Sequence, residues 1–471
     1  MKDPRNLHRF TVNDCRLALD VPSGSLVELD AVAWEALDLY GEVDREEAVR
    51  RLSPRFGEAE AARAWDELAR CEAEGLFFSA PPAVLRSGSG APEPVEAAGG
   101  IPAVLHSLCL NLAHDCNLRC GYCFAGQGAF GGGRGLMSPE VARRAIDFLL
   151  RSSGRRRQVE VDFFGGEPLL NQRALRETIE YAEARGREAG KAFRFTLTTN
   201  ATLLDDETLE YLNQKRVSLV LSLDGRPEVN DRMRPGPGGR GSYDRVLPRI
   251  RRAVESRGGR DYYVRGTYTR HNLDFATDVL HLVDQGFQEV SVEPVVGTPS
   301  DGYALRQTDL PAVMAEYERL ARTYVQRWQD GRPFSFFHFN IDVEQGPCLA
   351  RRVTGCGAGT EYLAVTPEGE LYPCHQFVGR REFMMGNADE GVTRPDLARL
   401  FRETTIHQKP LCGDCWARFY CGGGCHANAH LSNGDLRLPY AIGCAVQKKR
   451  IECALYIQAA TRESLSRLAG D

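Results

Sequence analysis

The sequence predicts an α/β protein whose centre is an open sheet of parallel strands, with a small module before it and a cysteine-rich region after it. Three observations predict this architecture. Apolar runs of strand length alternate with amphipathic helices between residues 103 and 333. That alternation is absent before residue 80 and after residue 334. Nine of the 15 cysteines follow residue 334, where long apolar runs are few and bound metal would have to stabilise the fold.

The central region contains six strand–helix units. Its apolar runs begin near residues 104–112, 159–164, 193–198, 219–223, 262–268 and 290–295. Helices are predicted at 173–189, 206–214, 243–257, 275–285 and 311–328, and an earlier one begins at Ser138, an N-cap residue followed by Pro139. Such units form parallel strands with right-handed crossovers. Six is fewer than the eight of a closed barrel, so we expect a partial (β/α)6 TIM-like barrel with its functional residues at the carboxyl ends of the strands.

The regions on either side of the barrel, which spans 103–333, have different patterns. Residues 1–80 read as an α/β module: alternating stretches at 8–12 and 17–29 with a turn at 22–24, helices at 31–40, 45–52 and 58–74, and a short strand at 75–78. Residues 81–102 are rich in Pro, Gly, Ala and Ser and predict a linker. Residues 334–471 are rich in turns and end in a helix from 445 to about 468.

Composition excludes several classes of protein. The net charge of -5 argues against a nucleic-acid binder, because phosphate affinity needs a surplus of Lys and Arg. No signal peptide follows the N-terminus, and no apolar run is long enough to span a membrane, so we expect a cytoplasmic protein without a membrane partner. In that reducing compartment, clustered cysteines usually bind metal and seldom form disulfides.

The first cysteine cluster directly follows the first barrel strand. Cys116, Cys120 and Cys123 have the spacing C-x3-C-x2-C. A [4Fe–4S] cluster normally takes four cysteines, so three leave one iron open, and an open metal position is where substrate chemistry occurs. A zinc knuckle is the alternative, but zinc sites favour paired C-x2-C motifs or histidine ligands. The spacing therefore predicts a catalytic iron–sulfur cluster.

This motif and its position resemble the radical S-adenosylmethionine (SAM) superfamily. The resemblance implies that the open iron is chelated by the amino and carboxyl groups of SAM. It also implies that an electron from the reduced cluster cleaves SAM to methionine and a 5′-deoxyadenosyl radical, which abstracts a hydrogen from the substrate.

Further SAM-binding residues are implied by the same resemblance at successive strand ends. The segment 165–168 matches the GGEP motif, whose backbone and Glu167 would hold the SAM amino group. Asn200 and Ser222 would face the ribose and methionyl parts, Arg265 would pair with the carboxylate, and Glu293 lies where the sixth strand approaches the adenine. The implied set is Tyr122, Gly165, Gly166, Glu167, Pro168, Thr199, Asn200, Ser222, Asp224, Arg265 and Glu293.

The cysteines of the tail resemble those of the SPASM extension of radical SAM enzymes. They are Cys348, Cys356, Cys374, Cys412, Cys415, Cys421, Cys425 and Cys444. The resemblance implies two auxiliary [4Fe–4S] clusters, and hence three in all. One would be bound by Cys412, Cys415, Cys421 and Cys444. The other would be bound by Cys356, Cys374 and Cys425, with Cys348 as a fourth ligand, or with an open iron for a substrate thiolate if Cys348 does not bind.

Resemblances in the rest of the chain point to a peptide substrate. The N-terminal module is similar to the winged-helix-like recognition elements that bind leader peptides as an added strand, although an unrelated accessory domain is the alternative. Strings at 113–117, 193–200, 263–267, 336–339, 372–378 and 415–421 resemble the maturases of SCIFF peptides, small cysteine-rich ribosomal peptides. That group implies an oxidoreductase forming thioethers between a peptide cysteine and an acceptor carbon. Its partners would be the leader and core of the precursor peptide and a flavodoxin or ferredoxin.

Three alternatives to this function stay open. A sulfatase-maturase-like reaction is disfavoured because such enzymes carry Asp directly after the cysteine equivalent to Cys374, whereas this chain has His375, which could itself serve as a base. A carbon–carbon crosslinking enzyme would share the same domains. A non-catalytic electron carrier would not need the SAM-binding motifs.

Overall fold

The computed structural model describes residues 6–80, 105–298, 300–341 and 349–468. The predicted linker at 81–102 and the candidate ligand Cys348 lie outside these ranges. No helix within them is long and apolar enough to cross a lipid bilayer.

The N-terminal module is a three-stranded antiparallel sheet followed by three helices. Its elements are β1 (Leu7–Val12), β2 (Cys15–Asp20), β3 (Leu26–Glu28), α1 (Ala31–Leu39), α2 (Arg45–Phe56) and α3 (Glu58–Ala73), and the strand order is β1-β2-β3. Asn13 and Asp14, with φ of 49° and 67°, form the tight turn between β1 and β2. Asp30 and Asp44 cap α1 and α2 through their side chains.

The strand predicted at 75–78 is absent, and the prediction is wrong there. The backbone N–H groups of Leu76 and Phe77 both donate to the carbonyl of Cys71, near the end of α3. Gly75 has a φ of 72°, which turns the chain at the end of the helix. Phe77 is buried in the core of the module, so its apolar character reflects packing after a helix.

The central sheet contains six parallel strands that are neighbours in chain order. They are β4 (Ser107–Ala113), β5 (Gln158–Gly165), β6 (Ala192–Thr199), β7 (Ser218–Ser222), β8 (Tyr262–Tyr268) and β9 (Glu289–Pro294). The helices along this part of the chain are α4 (Pro139–Ser152), α5 (Gln172–Ala189), α6 (Asp206–Gln214), α7 (Pro227–Met233), α8 (Tyr243–Ser256), α9 (Phe275–Asp284) and α10 (Leu310–Gln329). Of these, α7 was not predicted.

The sheet is wider than the six strands predicted from the sequence. β10 (Ser335–Phe336) pairs with β9, and β11 (Tyr362–Val365) pairs in parallel with β4. Antiparallel strands β12 (Glu370–Tyr372), β13 (Gly386–Asn387) and β14 (Gly391–Val392) continue from β11, so the sheet has eleven strands and two open edges. The last helices are α11 (Leu349–Thr354), α12 (Pro395–Glu403), α13 (Arg418–Cys421), α14 (His426–Asn433) and α15 (Ala441–Leu468).

The two faces of the parallel sheet differ in polarity. On β5, Val159, Val161 and Phe163 are fully buried, as expected for a face covered by helices. Asp162 and Phe164 alternate with them and are only partly buried. This second face is the more polar of the two.

Candidate active site and cluster-binding loops

The loop that carries Cys116, Cys120 and Cys123 follows β4 and crosses the carboxyl edge of the sheet. Two glycines let the end of β5 pass beside it. A Cβ on Gly165, whose φ is 131°, would lie 2.4 Å from the carbonyl oxygen of Ala113. A Cβ on Gly166 would lie 2.1 Å from the carbonyl oxygen of Asp115. Any side chain at either position would push the end of β5 away from the cysteine loop.

Glu167 joins the ends of β5 and β6 below the cysteine loop. Its fully buried carboxylate accepts hydrogen bonds from Thr199 Oγ1 at 2.7 Å, the Asn200 N–H at 2.8 Å and the Leu169 N–H at 3.0 Å. Burial raises the pKa of Glu167, while these donors oppose the rise. The structure thus gives Glu167 a positioning role, and its contact with SAM stays a prediction.

Asn200 lies directly against the cysteine loop. Its Nδ2 is 3.7 Å from Cys116 Sγ and donates to Asn117 Oδ1 at 2.9 Å. Asn117 in turn donates to Thr202 Oγ1 at 2.7 Å. We did not predict a role for Asn117, although its place between two candidate ligands was a usable signal.

Tyr122 and Asp224 are brought together from positions that are 102 residues apart. The Tyr122 hydroxyl donates to Asp224, with both carboxylate oxygens within 2.8 Å. Burial raises the pKa of Asp224 to about 6, and Arg234 and Tyr122 oppose that rise, so the carboxylate is ionised at neutral pH. Arg234 donates to the Tyr122 hydroxyl at 3.0 Å, and nothing in the spacing of the sequence had indicated this residue.

The three thiols of the loop suit an iron–sulfur cluster. Each is partly buried, and burial together with Glu167 and the other two cysteines raises the pKa of Cys116 to about 12. Thiolates bound at neighbouring positions repel one another and need a cation, which the irons of a cluster would provide. The Leu118 N–H points at Cys116 Sγ at 3.4 Å, a direction suited to stabilising a ligating thiolate.

Electrostatic influences link several described cysteines of the tail, while their assignment to two clusters stays a prediction. Burial and the charges of Cys425 and Cys356 raise the pKa of Cys374. Burial raises the pKa of Cys412 to about 11, with contributions from Cys421, Cys444 and Cys415. Mutual influence of this kind requires that the cysteines concerned lie close together.

Within the ranges that the structure describes, no three Cys, His, Asp or Glu side chains converge as they would around a single metal ion. Cys109 and Cys453 are fully buried and pack in the core.

Comparison with known proteins identifies both cysteine regions. Residues 110–269 match the Radical SAM superfamily, and residues 356–416 match the SPASM iron–sulfur cluster-binding domain. The chain contains a radical SAM domain and a SPASM domain. The second match ends before Cys421, so the last three candidate ligands lie beyond it.

Curated relatives match this chain over about 70% of its length. It is 24% identical over 371 residues to the serine-type anaerobic sulfatase-maturating enzyme of Klebsiella aerogenes, covering 73% of this chain and 84% of that one. It is 25% identical over 350 residues to the antilisterial bacteriocin subtilosin biosynthesis protein AlbA of Bacillus subtilis, covering 70% and 69%. The solved structure of anSMEcpe with bound AdoMet shares the fold, with a TM-score of 0.64, 19% identity, and coverage of 76% of this chain and 96% of that chain.

In the radical SAM domain, the predicted SAM-binding residues Arg265 and Glu293 face each other. Arg265 Nη2 lies 3.8 Å from Glu293, while His338 and Arg450 approach the same carboxylate at 3.6 Å and 3.8 Å. Burial alone would raise the pKa of Glu293, but these neighbours lower it to about 2. Ser222 lies opposite Arg265 in the pairing of β7 with β8, and β8 pairs with β9. The predicted SAM-binding residues of these three strands therefore lie close together.

A cavity of about 350 Å³ lies between the radical SAM cysteine loop and the SPASM domain. Tyr122 and Phe124, on either side of Cys123, line one wall. The segment 376–380, just after Cys374, and Leu431 on α14 line another. The loop after β9 closes a third side with Val296 and Tyr303. The cavity therefore touches both cysteine regions.

Proposed function

We propose that this enzyme forms thioether crosslinks between a cysteine sulfur and an acceptor carbon in a ribosomally made, cysteine-rich precursor peptide of the SCIFF type. The observation that carries the proposal is the cavity between the cysteine loop and the segment 376–380, just after Cys374. Its mixed apolar and polar lining and its size suit a short stretch of peptide. A substrate seated there would reach both the radical-generating site and the auxiliary site.

The residues of this chain would hold three [4Fe–4S] clusters and SAM. Cys116, Cys120 and Cys123 would bind the catalytic cluster, which when bound supplies the electron that cleaves SAM to a hydrogen-abstracting 5′-deoxyadenosyl radical. Glu167 and Asn200 hold the strand ends under that loop. The tail cysteines would bind the other two clusters. Cys348 would be the fourth ligand of one of them, or one iron of that cluster would be left open.

The overall reaction is an oxidation. The acceptor carbon would lose a hydrogen atom to the deoxyadenosyl radical and the cysteine thiol would lose a proton. An auxiliary cluster held by the tail cysteines would supply the acceptor for the one electron released when the C–S bond forms. The peptide thus becomes lighter by two hydrogens. His375 packs between the rings of Phe124 and Phe164, and its Nδ1 lies 3.3 Å from the Tyr362 hydroxyl. Burial lowers the pKa of His375 to about 4, so its imidazole is a weak base for the proton that the cysteine loses.

The names of relatives support a peptide or protein substrate. One matures sulfatases, and another takes part in the biosynthesis of the bacteriocin subtilosin. The three-stranded sheet of the N-terminal module offers an edge at β3 where a leader peptide could add a strand. A flavodoxin or ferredoxin is the proposed reductant, and the cytoplasm the proposed location.

The experiment is mass spectrometry of a cysteine-rich precursor peptide encoded near this protein, incubated anaerobically with reconstituted enzyme, a reductant and SAM. We expect a loss of two hydrogens per crosslink, with the affected cysteine no longer open to alkylation. Omitting SAM is the control.

Each competing function gives a different product. An aldehyde that reacts with hydrazide, with no crosslink, would indicate a sulfatase-maturase reaction. Loss of two hydrogens with every cysteine still alkylatable and no aldehyde would indicate a carbon–carbon bond. Failure of the reduced, reconstituted protein to form any 5′-deoxyadenosine would favour an electron carrier and overturn the proposal.

A further inference from the structure

The segment that follows β7 lies across the cysteine loop. We call residues 226–235, which include α7, the strap. The Gly121 N–H donates to the carbonyl of Met233 at 2.8 Å, and the Arg119 N–H donates to the carbonyl of Pro235 at 2.7 Å. Two backbone hydrogen bonds therefore attach the middle of the cysteine loop to the strap, in the manner of a short strand pair.

The strap is itself held firmly by the chain that follows it. Asp231 accepts hydrogen bonds from the N–H groups of Ser242 and Tyr243, both at 2.8 Å. The Ser242 hydroxyl donates to the carbonyl of Arg234 at 2.7 Å. A Cβ on Gly241 would lie 2.1 Å from the Asp231 carboxylate, so any larger residue there would displace Asp231 from these hydrogen bonds. The backbone of Arg234 is thus fixed relative to the sheet.

The side chain of Arg234 reaches back beneath the cysteine loop. It donates to the Tyr122 hydroxyl at 3.0 Å and lies 4.0 Å from Asp224. The Arg234 side chain is 11% exposed and the Asp224 side chain is fully buried. Asp224 also accepts the Thr267 N–H at 3.0 Å, which ties the group to β8. Removing either charge would leave the other buried without its ionic partner.

The charge of Arg234 is held beside the cysteine loop. Its hydrogen-bond partner Tyr122 lies between Cys120 and Cys123 in the chain, so a largely buried cation adjoins the candidate ligands. A cation beside thiolate ligands favours the more negative, reduced state of a cluster bound to them.

We propose that Arg234 is a positioning residue for the catalytic cluster: through Tyr122 it fixes the cysteine loop, and its charge raises the reduction potential of the cluster bound there. This role rests on the cluster assignment made under the proposed function. It concerns a residue outside the cysteine motif and outside the predicted SAM-binding set.

The test compares Arg234→Gln with Arg234→Lys and with the control Arg232→Gln, which changes an exposed residue on α7. Each protein is reconstituted with iron and sulfide, and its clusters are titrated by EPR. Adding SAM identifies the catalytic cluster, because only the cluster that binds SAM changes its spectrum. We expect Arg234→Gln to shift the midpoint potential of that signal to more negative values and to weaken SAM binding about tenfold. Arg234→Lys should restore most of the potential, and Arg232→Gln should match the wild type.

A double variant separates charge from folding. Arg234→Gln leaves Asp224 as an unpaired buried carboxylate, whereas Arg234→Gln with Asp224→Asn leaves no net charge. The double variant should recover most of the lost potential even if the single variant folds poorly. A midpoint that is the same in the wild type and Arg234→Gln would overturn the role of Arg234, as would a double variant no closer to the wild type than the single one. A wild-type protein without any SAM-responsive signal would instead overturn the proposed function, and this role with it.

Discussion

Asp162, on the polar face of the parallel sheet, makes the stability of the fold depend on pH. Burial raises its pKa from 3.8 to about 6, the charge of Glu160 adds to the rise, and a hydrogen bond with Thr196 opposes it. Because the folded protein disfavours the ionised form, stability falls as the pH rises through the window from about 4 to 6.

We therefore expect Asp162→Asn to raise the free energy of unfolding by about 1 to 3 kcal/mol above pH 7, and by less at pH 5. Asparagine keeps the shape and can still pair with Thr196. Melting temperatures of the wild type and the variant at pH 5 and 7.5 check this expectation. An equal gain at both pH values would mean that ionisation of Asp162 is not the cause.

Residues of the site differ in how visible they are in the sequence. The C-x3-C-x2-C spacing indicated Cys116 as a candidate ligand, and the resemblance of 165–168 to the GGEP motif indicated Gly166 and Glu167. Arg234 and Arg450 could not be predicted. Their contacts with Tyr122 and Glu293 join positions that are more than a hundred residues apart, and only the fold brings them together.

At the scale of elements, periodicity located the long helices and the six parallel strands. It failed where an element is too short to show a period. α7 has seven residues, β10 has two and β12 has three, and each is stabilised by the neighbours it packs on or pairs with. The apolar run at 75–78 led to a wrong strand prediction. Buried residues that follow a helix can have the same apolar pattern as a short strand.

The free edge of β3 gives a prediction for leader binding. The Leu29 N–H donates to the carbonyl of Arg16, and the Asp20 N–H donates to the carbonyl of Ser25. Hydrogen-bonded pairs alternate along antiparallel strands, so Glu28, which lies opposite Leu17, directs its N–H away from β2. Glu28→Pro would remove that outward donor without breaking the inner ladder. We expect the affinity for the leader peptide to fall about 3- to 10-fold, the value of one hydrogen bond.

The matched control is Glu28→Ala, which changes the same exposed side chain but keeps the N–H. Fluorescence anisotropy with a labelled leader peptide measures both variants. Equal loss in both would assign the effect to the carboxylate, and no loss in either would remove β3 as the docking edge.

At the scale of the whole molecule, the N-terminal module and the C-terminal helix are parts of one body. Phe10 and Val12 of β1 belong to the same buried core as the parallel sheet. His8 lies 3.0 Å from Glu452 on α15, and Asn13 donates to the carbonyl of Glu318 on α10. α15 therefore contacts the N-terminal module and α10, and it also carries Cys444, a candidate cluster ligand.

Two cysteines on α15 test the cluster assignment for the whole enzyme. Cys444 is partly buried beside Cys415, whereas Cys453 is fully buried in the core. We expect Cys444→Ala to lower the iron content of the reconstituted protein by about four of about twelve irons, since three [4Fe–4S] clusters are proposed. Cys453→Ala should keep the full iron content and lose only a small amount of packing energy.

The same two variants distinguish the formation of 5′-deoxyadenosine from the crosslinking of the peptide. Without its second auxiliary cluster, Cys444→Ala should still form some 5′-deoxyadenosine, because Cys116, Cys120 and Cys123 are untouched, but it should not crosslink the peptide. Cys453→Ala should do both. Iron assays, product chromatography and peptide mass spectrometry on the same preparations check these outcomes. Full crosslinking by Cys444→Ala would show that the electron released in forming the thioether does not need that cluster, and would confine the oxidative chemistry to the group of Cys356, Cys374 and Cys425.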